Sequence, residues 1–220
     1  MTLPLIGLTG YKRHGKDRTA AELETLAGYT PAAFADPLRD FVTAIDPIVD
    51  RWNDYPTGPE RTLRYAEAVA ENGYDLAKDA IPEVRGSLVA IGQAVRDNLG
   101  VKWGLNDLLG GRGLWVALAE KRILTALARR QHNHATNTVD PVWREHLVFT
   151  DVRMPDEADL IRKHGGVIVR VTRPDAPIPA ADEVTEHALD DYDVDVVLTN
   201  DGTPEGLSAS VSALLEKVRA

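Results

Sequence analysis

Residues 10–16 read Gly-Tyr-Lys-Arg-His-Gly-Lys, two glycines bounding four residues with a lysine directly after the second. This fits the first seven positions of G-x-x-x-x-G-K-[ST], a loop suited to polyphosphate. Such an anion needs several inward-pointing backbone N–H groups, and glycines permit the tight turn and the close approach. A helix starting at the loop's end adds its orphan N–H groups and positive dipole end. On that reading Gly10, Lys12, Arg13, His14, Gly15, Lys16, Asp17 and Arg18 face the phosphates of ATP, and Lys16 follows the charge that moves. Asp17 stands at the eighth position, where Ser or Thr ordinarily meets Mg²⁺. A carboxylate is itself a hard-cation ligand, whereas Thr19, two residues on, points elsewhere on the helix.

Other residues complement the loop. Asp151 follows the mostly apolar Leu147-Val-Phe-Thr, at a strand end where phosphoryl-transfer enzymes organise Mg²⁺ and the attacking oxygen. Arg153 and Arg162 are candidates for a lid over residues 151–164, meeting charge on the transferring group. Arg85 and Arg96 lie eleven residues apart, close to three helical turns, so they share a face with Val89 and Gly92 between them. Arg39, two residues after Pro37, is placed to hold an acceptor phosphate. Asp36 is placed either to cap that helix or to bind substrate. Trp52, Tyr55, Trp103, Trp115 and Trp143 are read as core or helix contacts rather than base-stacking groups. His132-Asn-His134 lacks a carboxylate partner at useful spacing and reads as a polar loop.

These groups need elements to hold them. Leu3 to Thr9 reads as a buried strand feeding the loop, and Ala20, Ala21, Leu23, Leu26 and Ala27 mark the helix beyond it. Further strands are expected at Thr30–Ala35, His146–Val152, Val167–Thr172 and Val194–Thr199. Helices are expected from Pro37, over Arg85–Leu99, over Leu114–Arg130 and over Pro204–Val218. Residues 51–85 read as an inserted helical region. Strands separated by helices predict a parallel sheet covered on both faces.

Composition sets the outer bounds. With 44% hydrophobic residues in 220, the chain can build a core, and one α/β domain is the expectation. A net charge of −9 argues against a general nucleic-acid binder, so the local cluster Lys12, Arg13, Lys16 and Arg18 reads as a focused anion site. Absent cysteines exclude disulfides, thiolate metal sites and a cysteine nucleophile. No apolar run is long enough to span a bilayer, and a cytoplasmic location is expected.

Gly10 to Asp17 resembles the G-K-D loop of phage-type deoxynucleoside monophosphate kinases and of the related phosphomevalonate kinases, in which aspartate after the lysine is usual. Phe34-Ala-Asp-Pro-Leu-Arg39 is similar to their F-A-D-P-L-[KR] motif, and Arg85 to Arg96 to their R-x-x-L-Q-x-x-G-x-x-x-R helix. Asp151-Val-Arg-Met-Pro-Asp-Glu-Ala158 is similar to D-V-R-F-P-N-E-A, and Gly165 to Pro174 continues it. Glu186 to Asp190 and Val196 to Gly202 resemble the closing strand and N-D-G turn. Arg18 and Val89 depart from the pattern. The resemblance implies a P-loop kinase of nucleoside-monophosphate-kinase type, a three-layer α/β sandwich with a five-stranded parallel sheet ordered 2-3-1-4-5. It implies an acceptor-binding helical insertion over about 50–145. ATP is the implied donor, with Mg²⁺ held by Asp17 and Asp151, and Lys16, Asp151 and Arg153 as catalytic groups. Asp36, Arg39, Arg85 and Arg96 are the implied acceptor side. Its partners are small nucleotides, neither nucleic acid nor membrane, and the oligomeric state is open, a homodimer included. Dephospho-coenzyme A or phosphomevalonate as acceptor, or an ATP-binding switch without turnover, are the alternatives.

Overall fold

The computed structural model describes residues 3–53, 58–111, 113–128, 132–133, 138–139 and 145–219. Tyr55, His134 and Trp143 lie outside them. Along the chain run β1 (Ile6–Thr9), α1 (Lys16–Ala27), β2 (Tyr29–Ala32), α2 (Asp36–Ile45), β3 (Ile48–Asn53), β4 (Glu60–Arg64), α3 (Tyr65–Asn72), α4 (Tyr74–Ala80) and α5 (Pro82–Ala94). A π-helical stretch, Val95–Lys102, continues α5. Then come α6 (Leu105–Leu108), α7 (Leu114–Ala128), β5 (His132–Asn133), β6 (Thr138–Val139), β7 (His146–Phe149), α8 (Pro155–Lys163), β8 (Val167–Thr172), α9 (Val184–His187), β9 (Val196–Thr199) and α10 (Pro204–Arg219).

Two compact units result, one of Met1–Phe34 with Leu118–Ala220 and one of Ala35–Ala117. The first contains the five-stranded sheet, whose strands are all parallel. Short apolar strands buried on both faces are what a helix-covered parallel sheet requires. Ile6, Leu8, Val169 and Val171 pack with Ala20 and Leu23 of α1 and with Leu207, Val211, Leu214 and Leu215 of α10. On the alternate face of β1, Gly7 leaves room for Ile168, Val152 and Ile161 of α8. β1 sits between β7 and β8, so the loop that follows it opens at the sheet's centre.

The strand numbering expected from sequence requires correction. Counting every strand, the sheet runs β2-β7-β1-β8-β9, because two antiparallel ribbons, β3-β4 and β5-β6, intervene along the chain. Charged residues at 50, 51, 60, 61 and 64 break the apolar alternation that would mark β3 and β4, and of β3 only Val49 is buried.

In the second unit, therefore, the inserted region is not purely helical. Val49, Tyr65, Ala68, Ala77, Val84 and Leu88 build a core of their own beneath the β3-β4 hairpin and α2 to α5. Gly73, at φ 74°, separates α3 from α4. Trp52 and Trp103 are 42% and 73% exposed, so of the core or helix contacts expected of them, neither makes a core one. Among the described residues no helix is long and apolar enough to cross a membrane.

Candidate functional site

The loop between β1 and α1 owes its shape to its glycines. Gly10 has φ 126° and Gly15 φ 97°, conformations that side chains rarely adopt. A Cβ at Gly10 would overlap the Val171 carbonyl oxygen, and one at Gly15 the Asn200 amide. Arg13, between them, also takes a left-handed conformation, φ 66°, and such strain on a non-glycine residue concentrates at functional sites. No side chain caps α1, whose N-terminus presents the positive end of the helix dipole to the loop.

Lys16 is folded across this loop. Its Nζ donates to the carbonyl oxygens of Gly10 at 2.6 Å and Tyr11 at 2.9 Å, and the residue is only 9% exposed. Burial, reinforced by the nearby Arg153 charge, lowers its pKa to about 8, while Glu186, Asp17 and Asp151 oppose that shift. Thr19 donates its hydroxyl to Gly15 O at 3.0 Å and is fully buried, so its oxygen serves the helix backbone. Asp17 and Arg18 are exposed in the first turn of α1.

His14 is buried, with Nδ1 3.3 Å from Val171 O. A carbonyl can only accept, so Nδ1 is the donor in this contact. Among the described residues Nε2 has no hydrogen-bond partner. The ring lines a cavity of about 310 Å³ that Thr9, Tyr11, Arg170 and Asp190 also border.

Asp151 follows β7, and its Oδ1 accepts from the Phe34 N–H at 2.7 Å. Arg153, two residues on, is held at its backbone, where its N–H and that of Met154 both donate to Glu157 Oε2, at 2.7 and 3.1 Å. Burial raises the Glu157 pKa to about 7, with Asp151 adding to the shift against those two bonds. Arg162 is engaged elsewhere, donating to Asp193 O at 2.6 Å and pairing with Asp195 at 3.2 Å. The helix that carries it, α8, buries Ala158, Leu160 and Ile161.

Contacts across the loop come from α9 and its flanks. Lys12 N–H donates to Glu186 Oε2 at 2.7 Å, and Lys12 Nζ pairs with Glu183 at 2.6 Å. Tyr11 donates its hydroxyl to Asp190 at 3.0 Å, and Glu186 Oε1 takes the Arg153 guanidinium. Glu183, Glu186, Asp190 and Glu157 were not among the site residues expected from sequence. Glu157, Glu186 and Asp190 lie within motifs that carry the family resemblance, but nothing local marks the roles of Glu183, Glu186 and Asp190, whose partners lie far away along the chain.

The first unit thus brings Gly10 to Arg18, Asp151 and Arg153 together. Asp36, Arg39, Arg85 and Arg96 belong to the second unit. There Ala35 occupies the cap position of α2, and Asp36, in the first turn, pairs with Arg39 at 3.1 Å. The Arg39 guanidinium also lies 4.3 Å from the centre of the Tyr74 ring, a cation–π contact. Arg85 pairs with Asp79 at 3.4 Å, and Arg96, on the π-helical stretch, donates to Gln93 at 3.2 Å. Val89 is exposed between them, but Gly92 is buried against Leu38 of α2, which uses the room a side chain would need.

Compared with known proteins, residues 114–211 match the family described as deoxynucleotide monophosphate kinase. A protein of Acanthamoeba polyphaga mimivirus, named "Putative deoxynucleotide monophosphate kinase", is 24% identical over 231 residues, covering 96% of each chain. Both findings agree with the resemblance carried by the motifs.

Proposed function

We propose that this protein transfers the γ-phosphate of ATP to a deoxynucleoside monophosphate, giving ADP and a deoxynucleoside diphosphate. The observation that carries the reading is the gathering of Lys16, Asp151 and Arg153 at one glycine-bounded loop that opens at the centre of a parallel sheet. Phosphoryl transfer asks mainly for positioning and charge stabilisation, and these residues can supply both. Loop amides and the α1 N-terminus bind the donor phosphates. Lys16 leaves the carbonyls of Gly10 and Tyr11 and follows the γ-phosphoryl group. Arg153 meets the charge that develops on it, and Asp151 orients the attacking phosphate oxygen of the acceptor.

Among the described residues no three acidic or histidine side chains form a metal cage. That suits Mg²⁺, which is commonly held by one or two carboxylates together with substrate phosphates. Asp17 and Asp151 would hold it here, and the ion would neutralise charge between the phosphates. In the second unit, Arg39 and Arg96 grip the acceptor phosphate. Arg39 is the better prepared of the two, its guanidinium already flanked by Asp36 and the Tyr74 ring.

Incubation of the purified protein with ATP, Mg²⁺ and each deoxynucleoside monophosphate in turn, with dephospho-coenzyme A and phosphomevalonate as controls, tests the proposal. Coupled ADP release dependent on a deoxynucleotide is expected. ADP release with a control acceptor alone, or ATP binding without acceptor-dependent turnover, would refute it.

A further inference from the structure

Glu186 has only 7% of its side chain exposed, and its two oxygens serve different parts of the site. One accepts the Lys12 backbone N–H at 2.7 Å, inside the loop that carries Lys16. The other takes the guanidinium of Arg153, whose side chain is 42% exposed and whose backbone is fixed separately by Glu157. Arg153 and Lys16 carry like charges at one site, and Glu186 is bonded both to the arginine and to the loop that carries the lysine. Without a carboxylate between them and the loop, the flexible arginine gains by swinging into water, away from the second cation. Neighbouring contacts reinforce the same geometry. Glu183 holds Lys12 Nζ, and Asp190 holds the Tyr11 hydroxyl. The two loop residues held by α9 and its flanks therefore include Tyr11, whose carbonyl accepts from Lys16.

We propose that Glu186 is a positioning residue for phosphoryl transfer, holding the Arg153 guanidinium at the mouth of the loop while fixing the loop at Lys12. The role rests on the kinase reading above. In this role Glu186 acts through Arg153 rather than on donor or acceptor, so its effect must vanish when Arg153 is gone.

The test is a double-mutant cycle in the full chain with Glu186→Ala, Arg153→Ala and the pair, measured with ATP and the best acceptor. Glu186→Ala should lower kcat at least roughly tenfold and change the KM for ATP less than about threefold. In the Arg153→Ala background the same substitution should cost no more than about twofold. Phenylglyoxal labelling of Arg153, mapped by mass spectrometry, should increase in Glu186→Ala whether or not any acceptor is turned over. If Glu186→Ala melts below the assay temperature, Glu186→Gln, which keeps an acceptor for the Lys12 N–H, carries the same test. An equal penalty in both backgrounds, unchanged labelling, or a kcat within twofold of wild type would overturn the role. So would faster turnover with tighter ATP binding, which would mark Glu186 as a carboxylate competing with phosphate. If no acceptor is phosphorylated by the wild type, the kinase reading and the catalytic role fall together. An increase in labelling would then show that the contact itself is real, which separates the two failures.

Discussion

At Lys16 the chain keeps an ammonium group almost out of water, with the Arg153 charge nearby, and its pKa falls to about 8. A lysine depressed from 10.5 favours the folded state least when charged. Its penalty is absent above about pH 10.5 and develops as pH falls through about 8. Lys16→Met should thus reduce turnover below about a tenth of wild type, yet raise stability at pH 7 by on the order of 1–3 kcal/mol. Urea denaturation at pH 7 and above pH 10.5 checks this, since the difference should shrink at the higher pH. A variant less stable than wild type at pH 7 would show that the bonds to Gly10 and Tyr11 outweigh the buried charge. Glu157 runs on the opposite proton balance. Its pKa, raised to about 7, makes folding most favourable below about pH 4.5, with stability lost as pH rises through about 7. Both of its backbone bonds use a single oxygen, so Glu157→Gln can keep them while losing the charge. Stability of that variant should change less than that of wild type between pH 5 and pH 8. Arg153→Ala should depress kcat by orders of magnitude and disturb ATP binding much less, as single-turnover kinetics and equilibrium titration would show.

Among the elements, the loop from Gly10 to Gly15 is the most constrained. Ala at position 10 must combine a positive φ with a clash against the backbone of β8, so Gly10→Ala should cost about 3 kcal/mol or more in a thermal or denaturant melt. A near-neutral result would mean that the loop relaxes into another conformation. This loop was legible in the sequence because its glycine spacing, the apolar strand before it and the helix after it are all local. β8 was legible for a similar reason, as a β-branched run interrupted only by Arg170 and ended by Arg173-Pro174. The β3-β4 hairpin was not, since a ribbon exposed on most of its surface leaves no alternation to read. α9 was hidden for a different reason. Four residues carry no helical period, and the value of Glu186 depends on Lys12 and Arg153, which the sequence does not place beside it. Asp36 could be read either as cap or as ligand. The fold assigns the cap position to Ala35 and sets Asp36 beside Arg39. Arg39 and Tyr74, finally, form a pair that no spacing rule would suggest, and Tyr74→Ala should raise the acceptor KM more than that for ATP if the guanidinium needs the ring to stay in place.

At the scale of the whole molecule, the two units differ in how they use the chain. The second, Ala35–Ala117, is continuous, whereas the first joins an N-terminal piece to the C-terminal half. β1 has no hydrogen-bonded strand neighbours except β7 and β8, and β2 has only β7, among the described residues. The contacts that shape the loop reach farther still, with Lys12 and Glu186 separated by 174 positions and His14 and Asn200 by 186. A ribosome adding roughly 5–20 residues per second needs roughly 10–35 s to go from Lys12 to Glu186. During that interval the second unit can close on itself, while β1 waits for β7 and β8. The glycine loop is therefore made well before the residues that give it its shape. An incomplete nascent chain would carry every residue of the motif and still have no formed cradle for a nucleotide.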